Sequence, residues 1–237
     1  MSHTMNSTAY TGPVERASEN VRVQFIKRTY NHLAVALLAF IGLEYLLLNS
    51  PLAPVLTSVM TGGYSWLIVL AAFMGVSYFA NKWAMSSTSL QMQYIGLGLY
   101  VVAEAIIFVP LLYIANAVAP GVIPNAAVIT GLLFVGITYV AFTSKKDFTF
   151  LGGALKIGFF VALGFIVASI LFGFSLGLFF SLFMIIFASG AILYETSAIM
   201  RHYNTNQHVA AALSLFASVA LLFWYIVQFL MSITSSD

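Results

Sequence analysis

The sequence predicts an all-α protein, a polytopic bundle of seven transmembrane helices. Of the 237 residues, 61% are hydrophobic and only 7% are charged, and the mean hydropathy is +0.99. A soluble domain has about 25% charged residues, so this composition cannot cover a water-facing surface. The lipid bilayer is therefore the expected solvent and the first expected partner.

Seven apolar stretches have the length that a membrane-spanning helix needs, which is about 20 residues. Turn-forming segments separate them, such as Asn49-Ser50-Pro51 and Pro120-Gly121. The apolar run from Ile157 to Met200 is too long for one helix, so we expect it to fold back at Gly173–Gly177, which also has the GxxxG spacing of packed helices. The predicted spans are residues 30–49, 64–81, 93–116, 124–143, 154–173, 177–199 and 208–233.

Basic residues occupy alternate connections, and this asymmetry predicts the orientation of the chain. The connections at 50–63, 117–123 and 173–177 contain no Lys or Arg. The domain organisation is then a polar cytoplasmic tail of residues 1–29 and a seven-helix domain of residues 30–237, with the C-terminus outside. The other connections hold the basic residues Arg16, Arg22, Lys27, Arg28, Lys82, Lys145, Lys146 and Arg201.

Three acidic residues, Glu44, Glu104 and Glu195, fall inside predicted spans. An ionisable side chain in a membrane is costly and is by default a functional hypothesis. If all three face the interior, they form a ladder of carboxylates suited to a path for cations or protons. The alternative is that each carboxyl is protonated and bonds to a neighbouring helix. Glu195 is the strongest candidate, because small residues such as Ala191 on its face let another helix approach.

The seventh span carries a polar stripe that a lipid-facing helix would not keep. Its members follow helical spacing and share one face, so we expect this helix to be central, with the stripe turned to protein or water. Ordinary hydrogen bonding between helices is the alternative. The stripe consists of Ser214, Ser218, Tyr225, Gln228 and Ser232.

Motifs for catalysis or cofactors are missing from the sequence. Phe187-Ala188-Ser189-Gly190 lacks the leading glycine of rhomboid-type proteases, and the seventh span has no lysine for retinal. Cysteine is absent and the net charge is only +2. We therefore expect no enzyme, no cofactor, no nucleic-acid partner and no firm metal site, although the oxygen atoms in the spans suit hard cations such as Ca²⁺.

Three segments carry a family resemblance: Arg28–Ala34 (RTYNHLA), Lys145–Gly153 (KKDFTFLGG) and Gly190–Thr196 (GAILYET). With these motifs in this order, the chain resembles, over nearly its whole length, the bacterial Bax-inhibitor (TMBIM-like) membrane proteins. The resemblance implies six helices around a central seventh in the bacterial inner (cytoplasmic) membrane. It implies a pH-sensitive calcium leak in some members. In others it implies binding and modulation of a membrane protease or of a stress-response partner.

The resemblance also implies a pH sensor made of one acid on the sixth helix and one on the seventh. Glu195 matches the first, but Ser218 stands where the second acid is expected. A sensor in which two acids share a proton cannot operate unchanged. Either Glu195 works with hydroxyl partners, or Glu104 substitutes, or the chain does not conduct calcium.

The resulting candidates for the ion pathway or pH sensor are Glu195, Glu104, Ser218 and Ser214. Glu195 is also the expected transient contact for calcium. Weaker candidates are Glu44, Lys82, which corresponds to the family's basic partner of the sensor, and His202, which we expect to be a cytoplasmic cap or interface residue.

Overall fold

The computed structural model describes residues 11–86, 89–144 and 146–234. Within these ranges the chain forms eight α-helices, seven of which are long and apolar enough to cross a membrane. The predicted all-α bundle with seven spans is confirmed. Lys145 and Asp237, which entered the predicted orientation, lie outside the described residues. The helices are α1 (Glu19–Leu48), α2 (Leu52–Thr61), α3 (Ser65–Ala84), α4 (Leu90–Val118), α5 (Val122–Thr143), α6 (Gly152–Phe172), α7 (Gly177–Arg201) and α8 (His208–Thr234).

Two elements differ from the predicted boundaries. Helix α1 begins at Glu19, so residues 19–29 of the predicted tail form its first turns. Helix α2 occupies the connection after the first span, where no helix was predicted. Pro51 precedes α2 with φ −65°, an angle that suits the start of a helix, and a proline there forfeits no intrahelical hydrogen bond.

The predicted corner between the fifth and sixth spans is confirmed. Gly173 and Gly177 have φ values of 72° and 68°, in the left-handed region that glycine adopts most readily. A Cβ at either position would meet nothing within 4 Å, so their interpretation as a helix-packing motif was wrong. Gly96 instead permits close helix packing, because a Cβ there would lie 2.5 Å from the carbonyl oxygen of Ala80.

Helix α8 is the most enclosed of the spans. In the most apolar 18-residue stretch of α8, 72% of the residues are buried. The corresponding share is 61% in α4 and 22% or less in the other five spans. The predicted central position of the seventh span is therefore confirmed, with α4 as its most enclosed neighbour. Phe40 of α1 joins these two helices, since its ring centroid lies 5.1 Å from that of Phe108 and 5.9 Å from that of Phe216.

The segment before α1 packs against the loop between α7 and α8. The Val14 backbone N–H donates to the Tyr203 carbonyl at 2.9 Å, and the Thr205 N–H donates to the Gly12 carbonyl at 3.1 Å. Between them, Pro13 and Asn204 form an antiparallel β-bridge. Val14 is fully buried, so this part of the predicted tail belongs to the folded body.

Candidate ion pathway and pH-sensing site

Glu195 lies in a polar network, called here the Glu195 network, with Tyr203 and Ser214. The Tyr203 hydroxyl is 3.2 Å from Glu195 Oε2 and 3.1 Å from Ser214 Oγ. A hydroxyl has one proton, so when Tyr203 donates to the Glu195 carboxylate it accepts from Ser214. Glu195 is on α7, Ser214 is on α8, and Tyr203 lies in the loop that connects them, so the network joins two packed helices.

Tyr203 is suited to donate this hydrogen bond. Burial raises the pKa of its hydroxyl, and the negative charge of Glu195 raises it further. The side chain therefore keeps its proton at neutral pH. The titratable groups that interact with Glu195 among the described residues are Tyr203 and Tyr194. Lys82 was expected to pair with Glu195, but it is exposed at the end of α3. The side-chain partner of Glu195 is Tyr203.

A cavity of about 560 Å³ lies between α3, α4, α6, α7 and α8. Its walls are mostly apolar, and Trp66 and Trp224 stack beside it with ring centroids 6.0 Å apart. Ala191, one turn before Glu195, also lines it. The cavity therefore comes close to the Glu195 network without including the glutamate. The polar side chains in its walls include Glu104, Ser218, Tyr225 and Gln228.

Helix α8 connects the cavity with the Glu195 network. Ser214 belongs to the network, and Ser218 lines the cavity. The Ser218 hydroxyl donates to the Ser214 carbonyl at 3.1 Å, and the two residues lie one turn, about 6 Å, apart along the helix. In the predicted polar stripe, Ser218, Tyr225 and Gln228 thus line the cavity. Ser214 contacts the side chain of Tyr203.

Glu44 and Glu104 form a separate acidic group. Their exposed fractions are 5% and 7%, and their charges interact with each other. Tyr100, one turn before Glu104, is the side-chain partner of the Glu104 carboxyl. The oxygen atoms of Glu44 have no hydrogen-bond partner among the described residues. Glu44 and Glu104 are thus close enough to influence each other, whereas Glu195 has its own network.

Asp147 anchors the KKDFTFLGG segment to the end of α7. Its Oδ1 atom accepts from the backbone N–H of Thr149 at 3.0 Å, from the Thr149 hydroxyl at 2.8 Å and from the Ser197 hydroxyl at 3.1 Å. The Thr149 N–H is the largest cause that lowers the pKa of Asp147 to about 2, and the nearby Arg201 contributes to the shift. This part of the motif therefore has a structural role in holding the loop.

His202 belongs to this anchor and makes no contact with the Glu195 network among the described residues. Its Nε2 atom is 3.4 Å from Asp147 Oδ2 and 3.3 Å from the Thr149 hydroxyl. The expected interface position of His202 agrees with these contacts. Its inclusion among the ion-pathway candidates has no geometric support.

Two side-chain partners of the acidic candidates were missed in the sequence. Tyr100 lies four residues before Glu104, a spacing that places both on one face of a helix, so the pattern could have revealed it. Tyr203 follows the end of α7, where helical spacing no longer applies. Only the course of the loop brings its hydroxyl back to Glu195, and no sequence pattern reports that course.

The family model for "Inhibitor of apoptosis-promoting Bax1" matches residues 22–235. An uncharacterized membrane protein of Vibrio cholerae is 29% identical over 98% of this chain and 100% of its own length. An uncharacterized protein of Pseudomonas aeruginosa is 32% identical over 68% of this chain and 72% of its own. The modulator of FtsH protease YccA of Escherichia coli K12 is 39% identical over 40% of this chain and 43% of its own.

The family model covers most of the chain, including the three acidic residues in the spans and the loop that carries Tyr203. Together with the seven-span bundle around a buried last helix, this match makes the assignment plain. The chain belongs to the Bax inhibitor family of membrane proteins.

Proposed function

We propose that this protein is a pH-sensitive leak channel for cations, with calcium as the expected ion, in the bacterial inner membrane. The observation that carries the proposal is the run of polar groups along α8, where Ser214 in the Glu195 network is followed by Ser218 in the cavity wall. In this proposal the N-terminus is cytoplasmic and the C-terminus lies outside.

The proposed path consists of the cavity and the Glu195 network that closes it. Hard cations prefer oxygen ligands, and Glu104, Ser218 and Gln228 offer carboxylate, hydroxyl and amide oxygen atoms in the cavity wall. At the end of the path a cation makes a transient contact with Glu195. The Tyr203 hydroxyl occupies that position in the closed state, because it bridges Glu195 and Ser214.

Protonation of Glu195 is the proposed pH-dependent step. A hydrogen bond to an ionised carboxylate is roughly twice as strong as one between neutral groups. When Glu195 takes up a proton, the bond from Tyr203 weakens, and the link between the α7–α8 loop and the two helices loosens. Tyr203 itself stays protonated near neutral pH, because burial raises its pKa. Glu195 thus acts with hydroxyl partners in place of the second acid.

The test is calcium flux through purified protein in liposomes at several pH values. Wild type should show a flux that changes with pH, and Glu195→Gln should show a flux that does not, because glutamine cannot titrate. Glu19→Gln, an exposed acid at the start of α1, is the matched control and should behave as wild type. An unaltered flux and pH response in Glu195→Gln would remove Glu195 from the mechanism.

A second candidate function is the modulation of a membrane protease or a stress-response partner. It is favoured by the 39% identity over 95 residues to the Escherichia coli modulator of FtsH protease. Deleting residues 1–10 leaves Gly12 and Val14 in place, so it tests the terminal residues without removing the packed segment. A regulator that binds through these residues should no longer co-purify with the protease, whereas a leak should keep its flux.

A further inference from the structure

Residues 12–14, which precede α1, contact the α7–α8 loop at Tyr203, the residue that completes the Glu195 network. Val14 donates its N–H to the carbonyl of Tyr203 at 2.9 Å. The hydroxyl of the same tyrosine bridges Glu195 and Ser214. One residue is therefore held from both ends, by the N-terminal segment at its backbone and by two spanning helices at its side chain.

Two further contacts fix the segment in this place, a second backbone hydrogen bond and the burial of Val14. The Thr205 N–H donates to the Gly12 carbonyl at 3.1 Å, and Pro13 pairs with Asn204 in the antiparallel bridge between the two hydrogen bonds. Val14 is fully buried and belongs to the same apolar cluster as Tyr203. The position of the Tyr203 backbone thus depends on whether residues 12–14 are docked.

The attachment is small enough to be reversible. Its contacts include two backbone hydrogen bonds, whose net contribution in water is modest, and the buried side chain of Val14. Against these stands the conformational entropy that the residues of the segment lose when they are ordered. A change in pH, a ligand or a partner that binds the residues before Gly12 can shift such a balance.

We propose that residues 12–14 form a releasable cytoplasmic strap that holds Tyr203 against Glu195 and Ser214, so that undocking of the strap raises the cation leak. This inference rests on the proposed leak function and adds a control from the N-terminus. It also gives the leak and the regulatory candidate a common element, since a partner that captures the N-terminus would release the strap.

The natural absence of cysteine in this protein allows a direct test by cross-linking. Residues opposite each other in an antiparallel bridge have Cα atoms about 4.5–5.5 Å apart, within the range of about 4.4–6.8 Å that a disulfide requires. The double variant Pro13→Cys with Asn204→Cys should therefore oxidise to an intramolecular disulfide. The single variants Pro13→Cys and Asn204→Cys are its controls.

In liposomes, the oxidised double variant should leak calcium at least fivefold more slowly than either single variant, and reduction should restore the flux of the same sample. Equal flux in the oxidised and reduced forms would overturn the strap as a control element. Failure of the disulfide to form in the folded protein would overturn the docking itself. If wild type conducts no cation at any pH, the leak function fails, and this result is distinct from a leak that ignores the disulfide.

Val14→Asp provides the opposite perturbation. A carboxylate cannot be buried without a partner at low cost, so the strap should undock while the spanning helices stay folded. The expected result is a flux above that of wild type and equal to that of a variant truncated before Ala17. A flux equal to wild type in a folded Val14→Asp protein would contradict the proposal.

Discussion

Replacement of Gly96 by alanine tests the close packing of α4, the helix that carries Glu104, against α3. A Cβ at Gly96 would lie 2.5 Å from the Ala80 carbonyl oxygen and 2.6 Å from the Ala84 nitrogen, whereas ordinary contact begins at 3.4 Å. Both neighbours are backbone atoms, so no side-chain rotation relieves the clash. The two helices must separate by about 0.9 Å.

Overpacking of this kind typically costs about 1–3 kcal/mol and occasionally more. The higher helix propensity of alanine returns about 1 kcal/mol. We expect a net loss of about 1 kcal/mol for Gly96→Ala. Gly98→Ala is the matched control, since its Cβ would meet nothing within 4 Å, and it should be stabilised by up to about 1 kcal/mol.

The assay is reversible unfolding in mixed micelles, followed by tryptophan fluorescence, with both variants measured beside wild type. The two variants should differ by about 2 kcal/mol in the free energy of unfolding, because the gain in helix propensity is common to both. They differ only in where one methyl group lies on the same helix. Equal stability of Gly96→Ala and Gly98→Ala would refute the close approach of α3 and α4.

Three further outcomes are expected. Tyr203→Phe should raise calcium flux, because it removes a hydroxyl whose hydrogen bond to a charged group is worth about 1.5–3 kcal/mol; a liposome flux equal to wild type would contradict the closing role of Tyr203. Asp147→Asn should lower the free energy of unfolding by an amount that is constant near neutral pH. The native pKa of Asp147 is lowered to about 2 from 3.8, so this stabilisation is complete above about pH 4 and disappears as the pH falls towards 2; a loss that is equal at pH 2 and pH 6 would argue against the anchor. Gly173→Ala should destabilise the protein by about 1–2 kcal/mol, because a Cβ is disfavoured at a positive φ although it meets no neighbour; in thermal unfolding, asparagine at the same position should cost less than alanine.

The bundle was largely predictable because the length and composition of apolar segments determine which parts of a chain can cross a membrane. The corner at Gly173–Gly177 followed from the same constraint, since the apolar run around it is too long for one span. The central position of α8 was visible in its polar stripe. Helix α2 was not predicted, because a short helix in a connection leaves no such signature.

The acidic residues of the candidate site were predictable, but their grouping was not. A charge inside a span stands out in any sequence, so Glu44, Glu104 and Glu195 were identified. Which of them share a neighbourhood depends on how the helices pack. The proximity of Glu44 to Glu104 depends on how α1 packs against α4 and could not be predicted from the sequence.

The partner of Glu195 was also hidden. The family resemblance implied Lys82 as the partner, whereas the loop after α7 brings Tyr203 to the carboxylate. Likewise, helical spacing places His202 on the same face as Glu195, but its side chain contacts Asp147 of the KKDFTFLGG segment. Contacts made by loops depend on tertiary structure, and sequence periodicity does not describe them.

The central claim is that one network, made of Glu195 and Tyr203, controls a cation leak. The most direct test is a double-mutant cycle of pH-dependent calcium flux in liposomes with wild type, Glu195→Gln, Tyr203→Phe and the double variant. If both side chains act in one network, the double variant should match Glu195→Gln, with no further rise in flux and no response to pH. Additive effects of the two substitutions, or the absence of calcium flux in wild type at every pH, would contradict the account.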